Sequence, residues 1–171
     1  AICGISKGAF ACRERSMKGS FTPNVITTQI EHDAVLAPVR ELERKGFECR
    51  FLKPDRSGRI TPERLENLID DNTVLVSIQM ANSEIGTIQD IRALAEIAHR
   101  FGAIFHTDAT QALGKVHIDL VDLGVDAASF SAHKIGGPKG VGALFLKART
   151  PFLAQMLGGG QESGYRSGTQ N

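Results

Sequence analysis

Short runs of apolar and β-branched residues alternate along the chain with amphipathic segments of helical spacing. Apolar runs bounded by turn residues predict strands, and apolar positions three or four residues apart predict helices. The strands are predicted at 25–30, 47–52, 73–79, 103–107, 126–131 and 142–146. The helices are predicted at 33–45, from Pro62 onwards after an N-cap at Thr61, at 91–101, and as a short polar helix at 117–123. This order predicts an α/β fold with a mostly parallel sheet flanked by helices.

The length and the apolar content indicate one domain. A chain of 171 residues with 42% hydrophobic residues can bury one ordinary core. No internal repeat or linker divides it. Residues 1–12 resemble the end of an element already begun, the chain starts without methionine, and 157–171 form a glycine-rich polar tail. These features favour a fragment of a longer protein, covering a single domain over 1–171.

Composition excludes several classes of partner. The formal charge of +1, from 20 basic and 19 acidic residues, provides no broad attraction for nucleic acid or anionic membrane. No apolar run approaches the roughly 20 residues that span a bilayer. The three cysteines lack Cys-x-x-Cys spacing and the five histidines lack the His-Glu-x-x-His pattern, so no metal site is predicted. A reducing, cytoplasmic compartment is expected.

Polar residues follow the predicted strands at several points in the chain. Glu31-His32, Asn82, Asp108 and Lys134 each come directly after such a strand. In open α/β sheets, ligands bind in the crevice at the carboxyl ends of the strands. The placement therefore predicts one site at that edge of the sheet.

Lys134 and Asp108 have the chemistry that pyridoxal phosphate (PLP) requires. Lys134 lies between an apolar strand and the glycine-rich turn that begins at Gly136, and it offers an amine to the cofactor's aldehyde. Asp108 offers a carboxylate to the pyridine nitrogen. Taken alone, Lys134 could be a surface lysine and Asp108 could be an N-cap of the following turn. Their shared context favours the PLP interpretation.

Five further side chains complete the predicted site. The imidazole of His32 could stack on the PLP ring and move a proton near neutral pH. Asn82 and Gln111 could reach the ring oxygen, although Asn82 also suits a turn. Ser131 and His133 flank the lysine and could bind the phosphate, because closely spaced donors around a turn form an anion site.

These stretches resemble a known family, the PLP-dependent cysteine desulfurases of the NifS/IscS type, within the class V aminotransferases of fold type I. The matching stretches are 31–36, 82–86, 106–111, 129–142 and 158–171, in the family's order and over almost the whole chain. The resemblance implies that this chain is the large, PLP-binding domain of such an enzyme. It also implies that the N-terminal phosphate-binding segment and the C-terminal small domain with the persulfide cysteine lie outside these 171 residues.

The resemblance implies a role for each candidate residue. Lys134 would carry PLP and act with His32 in catalysis, while Asp108, Gln111, Asn82, Ser131 and His133 would bind the cofactor. Thr169 would reach the phosphate of a neighbouring subunit in a homodimer.

The implied reaction takes sulfur from L-cysteine, releases L-alanine and leaves an enzyme persulfide for iron-sulfur cluster or thiocofactor assembly, with a sulfur-acceptor or scaffold protein as partner. Two alternatives stay open. One is another class V enzyme, such as a selenocysteine lyase, a kynureninase-like enzyme or an aminotransferase. The other is a catalytically silent scaffold.

Overall fold

The structure is a computed structural model that describes residues 1–16 and 21–170. Its helices are α1 (Ile2–Ser16), α2 (Asp33–Glu43), α3 (Pro62–Glu66) and α4 (Ile91–Arg100). Its strands are β1 (Asn24–Thr28), β2 (Glu48–Leu52), β3 (Thr73–Ser77), β4 (Ile104–Asp108), β5 (Ala127–Ser131) and β6 (Gly142–Leu146). Two 3-10 helices span Ala132–Ile135 and Glu162–Gly164.

All six strands form one sheet in the order β2-β1-β3-β4-β5-β6. Neighbouring strands from β2 to β5 are parallel, and β6 pairs antiparallel with β5. The predicted α/β fold with a mostly parallel sheet is confirmed. The predicted strands deviate from the observed ones by one or two residues at their ends.

A hydrophobic cluster covers each face of the sheet. On one face, α3 and α4 pack over Val76, Phe105 and Ala128. On the other face, α1 and α2 pack over Leu75 and Ala127. Adjacent strand residues point to opposite faces, so each strand contributes to both clusters. Strands buried on both faces explain why the sequence shows continuous apolar runs.

The prediction of a helix at 117–123 is wrong. The segment forms a single turn, in which the Asp119 side chain accepts hydrogen bonds from the backbone N–H groups of Val121 and Asp122 at 3.0 Å each. Gly124 follows with a φ of 70°, a left-handed conformation that ends a helical turn. The Asp119 side chain thus satisfies backbone N–H groups that a longer helix would pair with backbone carbonyls.

Two helix starts complete the comparison with the predicted elements. The segment 1–12, predicted as the end of an element already begun, lies from Ile2 onwards in α1, a helix that continues to Ser16 and buries Ile2, Ile5 and Ala9 against the sheet. Thr61 does occupy the N-cap of α3, but its side chain makes no capping hydrogen bond. Of the described helices, none is long and apolar enough to cross a bilayer.

Candidate active site

The predicted site residues lie at one edge of the sheet. Parallel strands end at a common edge, and β1, β3, β4 and β5 are consecutive neighbours. His32 follows β1, Asn82 follows β3, Asp108 ends β4 and Lys134 follows β5. Four elements distant in sequence therefore bring these residues to the same edge of the sheet, which is where ligands bind in this class of fold.

Lys134 lies in the loop that reverses the chain between β5 and β6. The 3-10 helix Ala132–Ile135 carries it, and Gly136 ends this helix with a φ of 79°, which strains residues with a Cβ. The backbone N–H of Gly137 donates to the carbonyl of Ala132 at 2.9 Å and so closes the turn. Lys134 is exposed to solvent.

Ser131 and His133 are brought together beside Lys134. The Ser131 Oγ and the His133 Nδ1 are 2.7 Å apart. Ser131 is half-buried and His133 is exposed. At this distance one of the two groups donates to the other, and with a neutral imidazole the pair keeps one N–H or O–H to donate to an anion.

Asp108 is half-buried at the end of β4. Its Oδ1 accepts a hydrogen bond from the backbone N–H of Thr110 at 2.9 Å, so the predicted turn-capping role is present in the structure. Only Oδ1 takes part in that hydrogen bond, and Oδ2 does not. Gln111, one turn later, accepts a hydrogen bond from the amine of Lys115 at 2.7 Å.

Asn82 holds the loop after β3 against the end of β1. Its Nδ2 donates to the carbonyl of Ile30 at 3.0 Å, and its Oδ1 accepts from the backbone N–H groups of Glu84 and Ile85. The side chain is buried. Asn82 therefore performs the turn function that the sequence left open, at the edge where the other candidates meet.

His32 is the N-cap of α2. Its Nδ1 accepts a hydrogen bond from the backbone N–H of Ala34 at 3.1 Å. An accepting Nδ1 carries no proton, so the proton of the neutral ring lies on Nε2. The ring is exposed at the carboxyl edge of the sheet, and the cap fixes its orientation.

Thr169 belongs to the glycine-rich tail and not to a loop that directly follows a strand. It is exposed on the polar tail, next to the buried Ser167, whose backbone N–H donates to the carbonyl of Met156 at 3.2 Å. Within residues 1–16 and 21–170, no hydrogen bond joins Thr169 to another candidate residue.

Sequence reasoning gave no role to His106, which is buried two residues before Asp108. Its Nδ1 is 2.9 Å from the Ser77 Oγ on β3, and its Nε2 is 2.8 Å from the Ser129 Oγ on β5. Desolvation lowers the pKa of His106 from 6.5 to about 3. The imidazole is therefore neutral near pH 7 and joins three strands behind the site. Its spacing of two residues from Asp108, which places both on one face, is the signal that could have identified it.

The sequence analysis placed Glu31 with His32 at the predicted site but assigned it no chemical role. Its side chain is 6% exposed, and its Oε1 accepts hydrogen bonds from the Thr28 hydroxyl at 2.8 Å and from the backbone N–H of Gln79 at 2.9 Å. Its Oε2 is buried without a partner among the described residues. The pKa of Glu31 is raised from 4.5 to about 8, chiefly by desolvation and to a smaller extent by the nearby Asp108, against the hydrogen bonds from Gln79 and Thr28, which lower it.

The burial of His106 predicts a pH-dependent stability. Because the folded-state pKa lies below the unfolded value, the unfolded chain binds more protons between pH 3 and 6.5. The free energy of unfolding should therefore fall as pH decreases from 6.5, by up to about 1.4 kcal/mol per pH unit from this group. Urea denaturation between pH 4 and 7 should show a shallower dependence for His106→Gln than for the unchanged chain. The exposed His117→Gln serves as control, and equal slopes for His106→Gln and the unchanged chain would contradict the assignment.

Comparison with known proteins gives the family. The family model described as aminotransferase class-V matches residues 15–169. The chain belongs to the aminotransferase class-V family. The resemblance found in the sequence is confirmed, and the class V architecture of fold type I agrees with the sheet described above.

Curated relatives and solved structures show which members of the class V family the chain is similar to. The chain is 52% identical over 148 residues to the cysteine desulfurase IscS of Pseudomonas aeruginosa (strain UCBPP-PA14) and 53% identical to that of Escherichia coli O139:H28. Each match covers 85% of this chain and 37% of the relative. A NifS-like protein superposes with a TM-score of 0.89 at 42% identity, covering 99% of this chain and 46% of that one. A structure of SspA in complex with cysteine superposes with a TM-score of 0.84 at 36% identity, covering 98% of this chain and 50% of that one. The chain thus spans about half or less of the length of these proteins.

Proposed function

We propose that residues 1–171 form the PLP-binding large domain of a cysteine desulfurase. The protein that contains them removes sulfur from L-cysteine and gives L-alanine and an enzyme persulfide for iron-sulfur cluster or thiocofactor assembly. The observation that carries the proposal is the position of Lys134 and Asp108 after the neighbouring strands β5 and β4, at one edge of the sheet. The identity of about half of all aligned residues to curated cysteine desulfurases favours this reaction within the class V family.

The chemistry of the donor set fits PLP. The cofactor needs an amine, an anion for its ring nitrogen, a flat surface for its ring and donors for its phosphate. The amine of the exposed Lys134, a carboxylate with one uncapped oxygen at Asp108, an oriented imidazole at His32 and the hydrogen-bonded pair of Ser131 and His133 meet these four needs. Bound PLP would supply an electron sink for bonds at the substrate carbon that bears the amine.

Each candidate residue has its own role in the proposed site. The Lys134 Nζ would hold the cofactor covalently, and the Asp108 carboxylate would favour a proton at the ring nitrogen through its charge. His32 would stack on the ring and exchange a proton at Nε2. Asn82 and Gln111 would orient the ring from the loops after β3 and β4 through their amide groups. His106 keeps β3, β4 and β5 in register behind Asp108 through its two hydrogen bonds.

The partners follow from the same proposal. Thr169 is exposed on the tail, and an exposed residue can contact a second subunit, where it would reach the phosphate in a homodimer. L-cysteine is the proposed substrate, and a sulfur-acceptor or scaffold protein is the proposed macromolecular partner. The proposed compartment is the cytoplasm.

Two measurements test the proposed function. Titrating the chain with PLP is expected to give a saturable absorbance change and, after borohydride reduction, a covalent adduct on one lysine. The protein that contains the chain should release equal amounts of sulfide and alanine from L-cysteine in the presence of a thiol reductant. Absence of sulfide together with amino transfer to a keto acid would replace the desulfurase by an aminotransferase.

An aminotransferase is the second candidate, because the matched family model carries that description. It keeps the same roles for Lys134 and Asp108 and differs in the fate of the substrate. Selenocysteine lyase and kynureninase-like activities are separated by supplying those substrates in the same assay. If the protein binds no PLP and forms no adduct, the catalytically silent scaffold becomes the better description.

A further inference from the structure

The backbone pairing between β1 and β3 ends before the loops of the site begin. The last paired residues are Thr27 and Ser77, and the loops that carry His32 and Asn82 continue beyond them. Parallel strands hold each other through a ladder of backbone hydrogen bonds, so past its end the two loops need other contacts to stay together. Hydrogen bonds that involve side chains join them there.

Gln79 holds two consecutive residues of the loop after β1. Its Nε2 donates to the carbonyl of Ile30 at 2.6 Å, and its backbone N–H donates to the Oε1 of Glu31 at 2.9 Å. The Asn82 Nδ2 donates to the same Ile30 carbonyl at 3.0 Å. A carbonyl oxygen has two lone pairs, so the two amides complete its hydrogen bonding. Gln79 is 5% exposed, and a buried polar group that loses its partner costs free energy.

The Ile30 carbonyl lies two residues before His32. On the other side of His32, its Nδ1 accepts from the backbone N–H of Ala34 and its carbonyl accepts from that of Leu36, both at 3.1 Å. The first turn of α2 therefore constrains the histidine from its C-terminal side. The hydrogen bond from Gln79 to Ile30 constrains the same short loop from its N-terminal side.

We propose that Gln79 is a positioning residue of the site, whose amide holds the Ile30 carbonyl and so keeps the His32 imidazole in the orientation that stacks on a bound ring. A carbonyl can only accept a hydrogen bond, so the role needs the donor of the Gln79 Nε2. The role in stacking rests on the proposed function. The effect of Gln79 on the loop of His32 does not.

Gln89 provides a matched control for Gln79. It is also a buried glutamine, 4% exposed, whose Nε2 donates to the carbonyl of Gly58 at 2.8 Å and whose Oε1 accepts from the backbone N–H of Ile60 at 2.8 Å. These contacts hold the segment after β2 and not the loop of His32. Methionine has a similar length and no hydrogen-bond donor, so both Gln79→Met and Gln89→Met should lower the urea midpoint.

The first experiment tests the loop without any cofactor. The backbone N–H of Ala34 is bonded to the His32 Nδ1, so its solvent exchange, measured by NMR, reports how often that cap opens. Gln79→Met should speed this exchange by about tenfold, the effect expected from one lost hydrogen bond. Gln89→Met should leave the rate unchanged. An unchanged rate in Gln79→Met would overturn the proposal, and an equal rise in both variants would assign Gln79 to general stability instead.

A second variant covers the case in which Gln79→Met does not fold. Gln79→Glu keeps the shape of the side chain and replaces the donor with an acceptor, so above the pKa of the introduced carboxyl group it should speed the exchange of Ala34 as well. The same rate in Gln79→Glu as in the unchanged chain would count against the role of the donor.

The last experiment tests the stacking role through PLP affinity. Gln79→Met should weaken PLP binding to the chain by about tenfold, because His32 is oriented for stacking in a smaller fraction of molecules. Gln89→Met should bind PLP like the unchanged chain. Equal affinity of Gln79→Met and the unchanged chain would refute the stacking role. If the unchanged chain itself binds no PLP, the proposed function fails for the chain, and the exchange of Ala34 still decides whether Gln79 positions the loop.

Discussion

Replacing Lys134 with alanine is expected to abolish the covalent attachment of PLP and to lower desulfurase turnover by at least about a thousandfold. The amine is the group that bonds to the cofactor's aldehyde, and alanine offers no substitute. The side chain is exposed and ends in solvent, so its removal should leave the fold intact. Mass spectrometry after borohydride reduction measures the adduct, and sulfide release measures the turnover.

Lys139 provides a matched control for Lys134. It lies in the same loop between β5 and β6, and its side chain is also exposed. Lys139→Ala should keep both the adduct and the turnover near the values of the unchanged protein. A reduced adduct that persists in Lys134→Ala and disappears in Lys139→Ala would transfer the role to Lys139.

The architecture could be predicted because its signals are local. The runs around Val76 and Phe105 are apolar and β-branched or aromatic, they are buried on both faces, and their spacing by amphipathic segments indicates crossover helices. The position of Lys134 after β5 followed from the same pattern. The helix at 117–123 was predicted wrongly because the Asp119 side chain competes for backbone donors, an effect that periodicity does not reveal.

Two parts of the site could not be predicted because they depend on contacts between distant strands. His106 is recognised as a buried, neutral residue only when Ser77 and Ser129 are placed on its two sides by the pairing of β3, β4 and β5. Glu31 has the sequence context of a solvated acid before a helix. Its burial arises from Gln79, 48 residues away, and from the packing of the loops after β1 and β3.

Asp108→Asn is the second substitution for which we expect a large effect. Asparagine keeps the shape of the side chain and can still accept the hydrogen bond from Thr110, so the turn after β4 should persist. It removes the negative charge that, in the proposed function, keeps a proton on the ring nitrogen. Loss of such a charge-assisted interaction in a partly buried site costs about 3 kcal/mol, which corresponds to a fall in turnover of about a hundredfold.

Turnover and the urea midpoint of Asp108→Asn distinguish a loss of charge at the site from a loss of stability of the fold. Turnover should fall by about two orders of magnitude while the urea midpoint stays within the range of surface substitutions, since the backbone contacts of β4 with β3 and β5 are unchanged. Asp55→Asn is the control, because the Asp55 Oδ1 likewise accepts from a backbone N–H two residues later, that of Ser57, in the turn after β2, a strand that carries none of the candidate residues. Asp108→Glu restores the charge on a longer side chain and should recover part of the turnover. Full turnover in Asp108→Asn would remove Asp108 from the ring nitrogen, and a collapse of the urea midpoint would assign it to the fold.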